Sequence, residues 1–210
     1  MPKYKIAAMC LSVLSLSACG NENEQLETFY KQVQQANEQE KSIVQTSDKL
    51  GQLESEKVEM FDKINQGSIK TIHATAKKLD ANADERKTVI EEEKDAIAQS
   101  GAEFKKALSL AKEIDDQNNK NEAEDIVDKM EIKYETHDKL MTSYEKILTK
   151  EKEIFTYLQK KKPSGKVVNQ KIDQLNKITA DFQTLTNSYT ENSKALEKEK
   201  QDVVDILNEK

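Results

Sequence analysis

The sequence has no tryptophan, two prolines, five glycines, two cysteines and two histidines in 210 residues, and Arg86 is its one arginine. Few glycines and prolines leave little material for tight turns, which excludes a fold of many short strands joined by hairpins. Both cysteines, Cys10 and Cys19, lie near the N-terminus, so the body of the chain has neither a disulfide nor a clustered Cys and His metal site. The missing tryptophan removes the broadest platform on which a sugar ring stacks. No glycine-rich nucleotide loop and no nucleophile elbow occur. The residues thus imply no cofactor and no enzyme.

What is present is charge. Charged residues make up 34% of the chain and hydrophobic residues 36%. Such a composition suits either long helices or disorder, and periodicity decides between them. Leu26, Phe29, Val33, Ala36, Ile43, Leu50, Phe61 and Ile64 lie at alternating steps of three and four or at multiples of seven from one another, with Leu53 and Val58 one position off the stripe. That spacing predicts a helix with one apolar face. At about forty residues the helix is roughly 60 Å long. Gly67 then reads as a left-handed glycine closing its C-terminal turn.

The stripe restarts at Ile69 and runs through Ile72, Ala76, Leu79, Ile90, Ile97 and Phe104 to Ile114, stopping in Asp115-Asp116-Gln117-Asn118-Asn119. A third helix spans Ile126, Met130, Tyr134, His137, Leu140, Tyr144, Ile147, Ile154 and Leu158. It ends in Lys160-Lys161-Lys162-Pro163-Ser164-Gly165. The fourth carries Val168, Leu175, Ile178, Phe182, Leu185, Tyr189, Leu196, Val203 and Ile206. Short connections between long helices make neighbours antiparallel, so the expected fold is all-α, a long up-and-down four-helix bundle. The alternative is a three-helix, spectrin-like bundle with an extended first helix. It follows if Asn82-Ala83-Asp84-Glu85, which has the pattern of a helix start, marks the first turn at 80–83 instead of 65–68.

The N-terminal segment differs from the remainder. Lys3 and Lys5 precede an apolar run from Ile6 to Leu16, which has the length of a signal-peptide core and is too short to remain as a membrane-spanning helix. It ends in Leu16-Ser17-Ala18-Cys19, which resembles the lipobox of bacterial lipoproteins, where a diacylglycerol is attached to the cysteine and the chain is cut before it. The organisation expected is a signal peptide at 1–18, a lipidated tether at 19–25 and a single helical-bundle domain at 26–210. Two acyl chains make a stable anchor, whereas one is marginal. Cys19 is the lipid attachment residue, and the outer face of the cytoplasmic membrane is the expected location.

Candidate sites are few. A carboxylate-bridged metal pair in a bundle needs Glu three residues before His, but Lys70 and Tyr134 occupy those positions before His73 and His137. His137 falls on the apolar stripe and reads as a packed histidine. Glu40, Glu54, Glu93, Glu151 and Glu199 lie at or near stripe positions, where paired carboxylates would serve acid–base chemistry on a glycan. In a bundle this charged they read instead as seam-edge residues with solvated heads, paired with lysine.

The formal net charge is −6 and becomes about −8 once Lys3 and Lys5 leave with the leader, so nucleic acid is not an expected partner. The signs are unevenly spread. Glu113, Asp115, Asp116, Glu122, Glu124 and Asp125 flank the second turn, while Lys160, Lys161, Lys162 and Lys166 crowd the third. These lysines are candidate contacts for an anionic polymer. Alternatively, they satisfy the negative end of the preceding helix dipole.

The lipobox, the helix beginning at Glu24-Gln25-Leu26 and the Lys- and Glu-rich helical body together resemble the YkyA-like cell-wall-binding lipoproteins of low-GC Gram-positive bacteria. The 32 lysines against one arginine fit an AT-rich genome of that kind. The resemblance implies a membrane-anchored, extracytoplasmic, non-enzymatic helical protein associated with the cell wall, and it supplies no catalytic residues. Three functional classes stay open: a wall-contact or scaffold module, a protein-binding adaptor or chaperone-like helper contacting another surface protein, and a solute binder or enzyme. Because most Phe and Tyr fall on the stripes, ionic contact suits the residues better than sugar stacking.

Overall fold

The computed structural model of the protein describes residues 23–65 and 67–209. Residues 1–18, Cys19 and the start of the expected tether lie outside the described residues. Among the described residues there are five α-helices and no strand: α1 Glu24–Glu38, α2 Ile43–Asn65, α3 Ile69–Lys112, α4 Gln117–Leu158 and α5 Gly165–Asn208. The fold is the expected all-α, up-and-down helical bundle.

The helices contribute to two compact units. One comprises Val44–Glu92 and Lys139–Thr186. The other comprises the described residues of Ala7–Ile43, with Glu93–Asp138 and Asn187–Lys210. Each therefore gathers four helical segments. In the first unit Leu50, Leu53, Leu79, Ile90, Leu140, Tyr144, Phe155 and Phe182 are buried. Phe61 packs on Phe155 with ring centroids 5.8 Å apart, and Tyr144 on Phe182 at 5.4 Å. In the second unit Leu26, Phe29, Tyr30, Val33, Phe104, Ile126, Met130, Leu196 and Val203 form one core cluster.

The predicted stripes and the buried residues coincide along most of α1, α3 and α4, with departures at turns. The helix expected to run unbroken from 26 to 64 is interrupted at residues 39–42. There the amides of Gln39, Glu40, Lys41 and Ile43 bond to carbonyls three residues back, at Ala36, Asn37, Glu38 and Glu40. In α2 Leu50 on the stripe is buried, as is Leu53 one position off it, while Val58, also off the stripe, is 42% exposed.

Gly67 closes the α2–α3 turn without a left-handed backbone. The reason for glycine is space: a Cβ there would sit 2.8 Å from the Lys63 carbonyl oxygen and 2.9 Å from Thr71 Cγ2. Ser68 caps α3, its Oγ accepting the Thr71 amide at 3.3 Å and its carbonyl the Ile72 amide at 2.9 Å.

The first break thus falls between the end of α2 at Asn65 and the start of α3 at Ile69, and α3 continues through 80–83, which removes the spectrin-like alternative. Asn82 resembles a cap in sequence but is a buried bridge. Its Nδ2 donates to the Leu53 carbonyl at 2.9 Å and its Oδ1 accepts from Arg86 Nε at 2.9 Å. The Asp115–Asn119 stop is likewise the start of α4. The Asp116 carboxylate accepts the Asn118 and Asn119 amides at 3.0 and 2.9 Å.

The second unit also holds the start of α1. Gln25 donates to the Glu113 carbonyl at 2.9 Å and accepts the Asp115 amide at 3.0 Å. Asn23 accepts from Asn119 Nδ2 at 2.9 Å and reaches the Ile206 carbonyl at 3.5 Å. The beginning of the helical body is thereby docked on the α3–α4 turn and the end of α5.

Candidate functional site

The α4–α5 turn of the first unit presents Lys160, Lys161, Lys162 and Lys166, all exposed. Among the described residues none of the four ammonium groups has a carboxylate partner. Lys160 Nζ lies 4.8 Å from the centroid of the Tyr157 ring, a cation–π contact. Its carbonyl is 2.9 Å from His73 Nε2 on α3, so a histidine the sequence left without a role fastens the backbone of this turn. On the far side Ser164 begins α5: its carbonyl accepts the amides of Val167 and Val168 at 3.1 Å, and its own amide donates to Tyr157 Oη at 3.2 Å.

The placement of these lysines bears on the helix-dipole alternative. The last turn of α4 contains no basic residue, and the three consecutive lysines follow its end at Leu158. The first turn of α5 contains no acidic residue and does contain Lys166. A lysine there opposes the positive end of the helix dipole, and such ends attract anions. The four charges therefore exceed what the end of α4 requires.

A shallow, open groove of about 560 Å³ adjoins the turn, lined by residues that include Lys152, Glu153, Thr156, Tyr157, Lys160 and Lys171. Lys152 is bound by Asp84 at 2.5 Å, with Asp80 at 3.5 Å. The hydrogen bond that Lys152 donates to Asp84, with the charges of Asp80 and Asp84, raises the Lys152 pKa despite partial desolvation.

Glu40 and Glu54 are partly buried and paired with lysine, as expected of seam-edge residues, but two of the five stripe carboxylates are buried. Glu93 and Glu151 are 2% and 3% exposed, and their heads are not in water. In the first unit Glu54 and Glu151 come together around Arg86, which is fully buried. Arg86 Nη1 donates to Glu54 at 2.6 Å and Nη2 to Glu151 at 2.5 Å, while Lys57 binds both carboxylates, at 2.6 and 2.9 Å. Tyr144 Oη donates to Glu54 at 2.5 Å. Two cations face two anions, and every head group has a partner. Burial raises the Glu54 carboxyl, but the Lys57 and Arg86 charges with bonds from Lys57 and Tyr144 outweigh it and hold it below its ordinary value. A general acid needs the opposite shift, so this cluster is a structural tie. The signal that could have found it is the solitary Arg86 four residues after Asn82.

In the second unit Glu40 binds Lys133 at 2.5 Å and accepts from Ser100 Oγ at 2.7 Å. His137, 2% exposed, places Nε2 3.1 Å from Glu93 Oε1 and packs its ring on Tyr189 at 5.7 Å. It is the packed histidine expected. Glu199 is half-buried. Among the described residues no group of three or more His, Cys, Asp or Glu side chains is arranged to hold a metal ion, no helix is long and apolar enough to cross a membrane, and no Phe or Tyr is exposed.

These features define an all-α bundle protein with four carboxylates, Glu40, Glu54, Glu93 and Glu151, tied into internal pairs and a basic turn at its surface. The profile of the YkyA family, described as "Putative cell-wall binding lipoprotein", matches residues 24–206, and the chain belongs to that family. It is 25% identical over 207 residues to the uncharacterized lipoprotein YkyA of Bacillus subtilis (strain 168), covering 97% of this chain and 92% of that one. It is also similar to a conserved protein of unknown function from Staphylococcus aureus solved by crystallography at 1.6 Å. There the TM-score is 0.80 and the identity 27%, over 87% of this chain and 93% of that one.

Proposed function

We propose that this protein is a non-enzymatic lipoprotein held at the outer face of the cytoplasmic membrane and that it contacts an anionic cell-wall polymer through the α4–α5 turn. In this reading residues 1–18 are removed as a signal peptide, Cys19 carries the lipid, residues 19–25 form the tether and residues 26–210 form the extracytoplasmic body. The observation that carries the wall contact is the set of exposed lysines at 160, 161, 162 and 166 without carboxylate partners. Other exposed lysines of the unit, such as Lys49, Lys77 and Lys177, are spread singly or in pairs along the helices, so what marks this turn is four of them within seven residues. The family name supports both the lipoprotein and the wall association. The inward placement of the aromatic rings favours ionic contact over sugar stacking.

The test replaces the four lysines with glutamine and measures retention on purified walls that bear phosphate polymers, at low and high salt. Retention that falls with salt in the native protein and is largely lost in the variant is expected. Retention unaffected by salt and by the four substitutions would overturn the reading.

A further inference from the structure

The groove beside the lysine turn already holds an anion of its own. Glu153 on α4 receives Lys150 Nζ at 3.0 Å on both carboxylate oxygens and Lys171 Nζ of α5 at 3.0 Å on Oε2. Its side chain is 41% exposed, whereas those of Lys150 and Lys171 are 22% and 26% exposed. The Glu153 side chain is therefore the more exposed member of both pairs, with room to swing away from the lysines. Exposed pairs of this kind are weak and exchange readily with a competing anion. Hydrogen bonds from Lys150 and Lys171 lower the Glu153 pKa, so the group is charged at neutral pH.

We propose that this groove seats a phosphodiester polymer whose phosphates reach Lys171 by displacing Glu153, so that Glu153 is a built-in competitor setting the affinity of the site. The inference rests on the polyanion reading above and adds the ligand chemistry and the residue that tunes it. Phosphate is favoured over carboxylate by the exchange itself. A carboxylate polymer would only replace one carboxylate with another, whereas the compact ammonium groups of Lys160 and Lys171, point charges without a planar fork, suit the oxygens of a phosphodiester. Thr156 and Tyr157 line the groove between Lys160 and Lys171, which suits a linker bearing hydroxyl groups between phosphates.

Binding of the full chain in detergent solution to fluorescent poly(glycerol phosphate) tests this, with polyglutamate as the carboxylate probe. The Glu153→Gln variant should bind poly(glycerol phosphate) about two- to fivefold more tightly, the equivalent of one exposed ion pair released. Lys171→Gln should weaken binding and abolish the gain when combined with Glu153→Gln. Far-UV circular dichroism checks that each variant remains helical. Unchanged or weaker binding by Glu153→Gln, while loss of the four turn lysines still abolishes it, would overturn the groove inference and leave the turn reading standing. Tightening by Glu153→Gln, with binding unchanged when Lys161 and Lys162, which lie outside the groove lining, are replaced by glutamine, would place the ligand in the groove and overturn the turn reading. Equal affinity for polyglutamate would overturn the phosphate assignment.

Discussion

Arg86 is the residue on which the first unit depends most. Its guanidinium spends three donor positions on Asn82, Glu54 and Glu151, with no exposure to water. Removing one partner of a buried ion pair leaves an uncompensated charge, so Arg86→Met should destabilise the protein by about 3–5 kcal/mol, read from urea denaturation. Arg86→Lys should lie between, because an ammonium cannot reproduce the planar fork. The cluster also sets an acid limit. Because the folded state lowers the Glu54 pKa, its stabilisation is fully present above the ordinary value of 4.5 and is lost as pH falls through the folded value. Acid titration followed by circular dichroism should show stability falling below about pH 4.5, with a smaller fall in Glu54→Gln. Sequence alone placed Glu54 and Glu151 at seam positions but not together. They are 97 residues apart along the chain, and a heptad pattern names faces without naming which faces meet.

At the scale of elements, α3, α4 and α5 were legible because each keeps one apolar stripe over more than forty residues. The break between α1 and α2 was not, because it contains neither glycine nor proline. Its residues, Gln39, Glu40, Lys41 and Ser42, are ordinary helix-compatible types, and within the break Glu40 binds Lys133 and Ser100 on other helices, contacts that no pattern local to this segment announces. The glycines give the cleanest test of the helix boundaries. Gly51 and Gly101 lie inside helices with open space around a prospective Cβ, so Gly51→Ala and Gly101→Ala should each raise stability by about 0.5–1 kcal/mol. Gly67→Ala should instead lower it by about 1–3 kcal/mol, since the new methyl group would press on the Lys63 carbonyl and Thr71. Thermal melts of the three variants would show opposite signs.

For the whole molecule, tyrosines in both units set an alkaline limit. Burial, with the Glu197 charge adding to it, raises Tyr30 to about 12. Burial also pushes Tyr134, Tyr144 and Tyr189 above the ordinary value of 10.0. A phenol whose folded pKa is raised stabilises the fold fully below its unfolded pKa, and that stabilisation is lost as pH rises through the folded value. Helicity should therefore collapse between about pH 10 and 12, together with the rise in tyrosinate absorbance. The anchor is tested at the same scale. Cys19→Ser should move the protein from the membrane fraction to the medium or to an unprocessed precursor, and membrane retention of a fully processed Cys19→Ser chain would contradict the lipid assignment.

The sequence by itself determined the helical class, the stripes of most helices, the resemblance to cell-wall-binding lipoproteins and the lysine-rich turn. All of these are local patterns, set by spacing within one segment or by a short motif. Tertiary structure decided which polar stripe residues are buried, that Glu54, Arg86 and Glu151 form one charge-balanced tie, that His73 fastens the turn backbone and that Glu153 occupies the groove beside the exposed lysines. Those depend on which helix faces meet, and a burial cost that only a partner from another helix can offset is not written in the spacing of either helix alone.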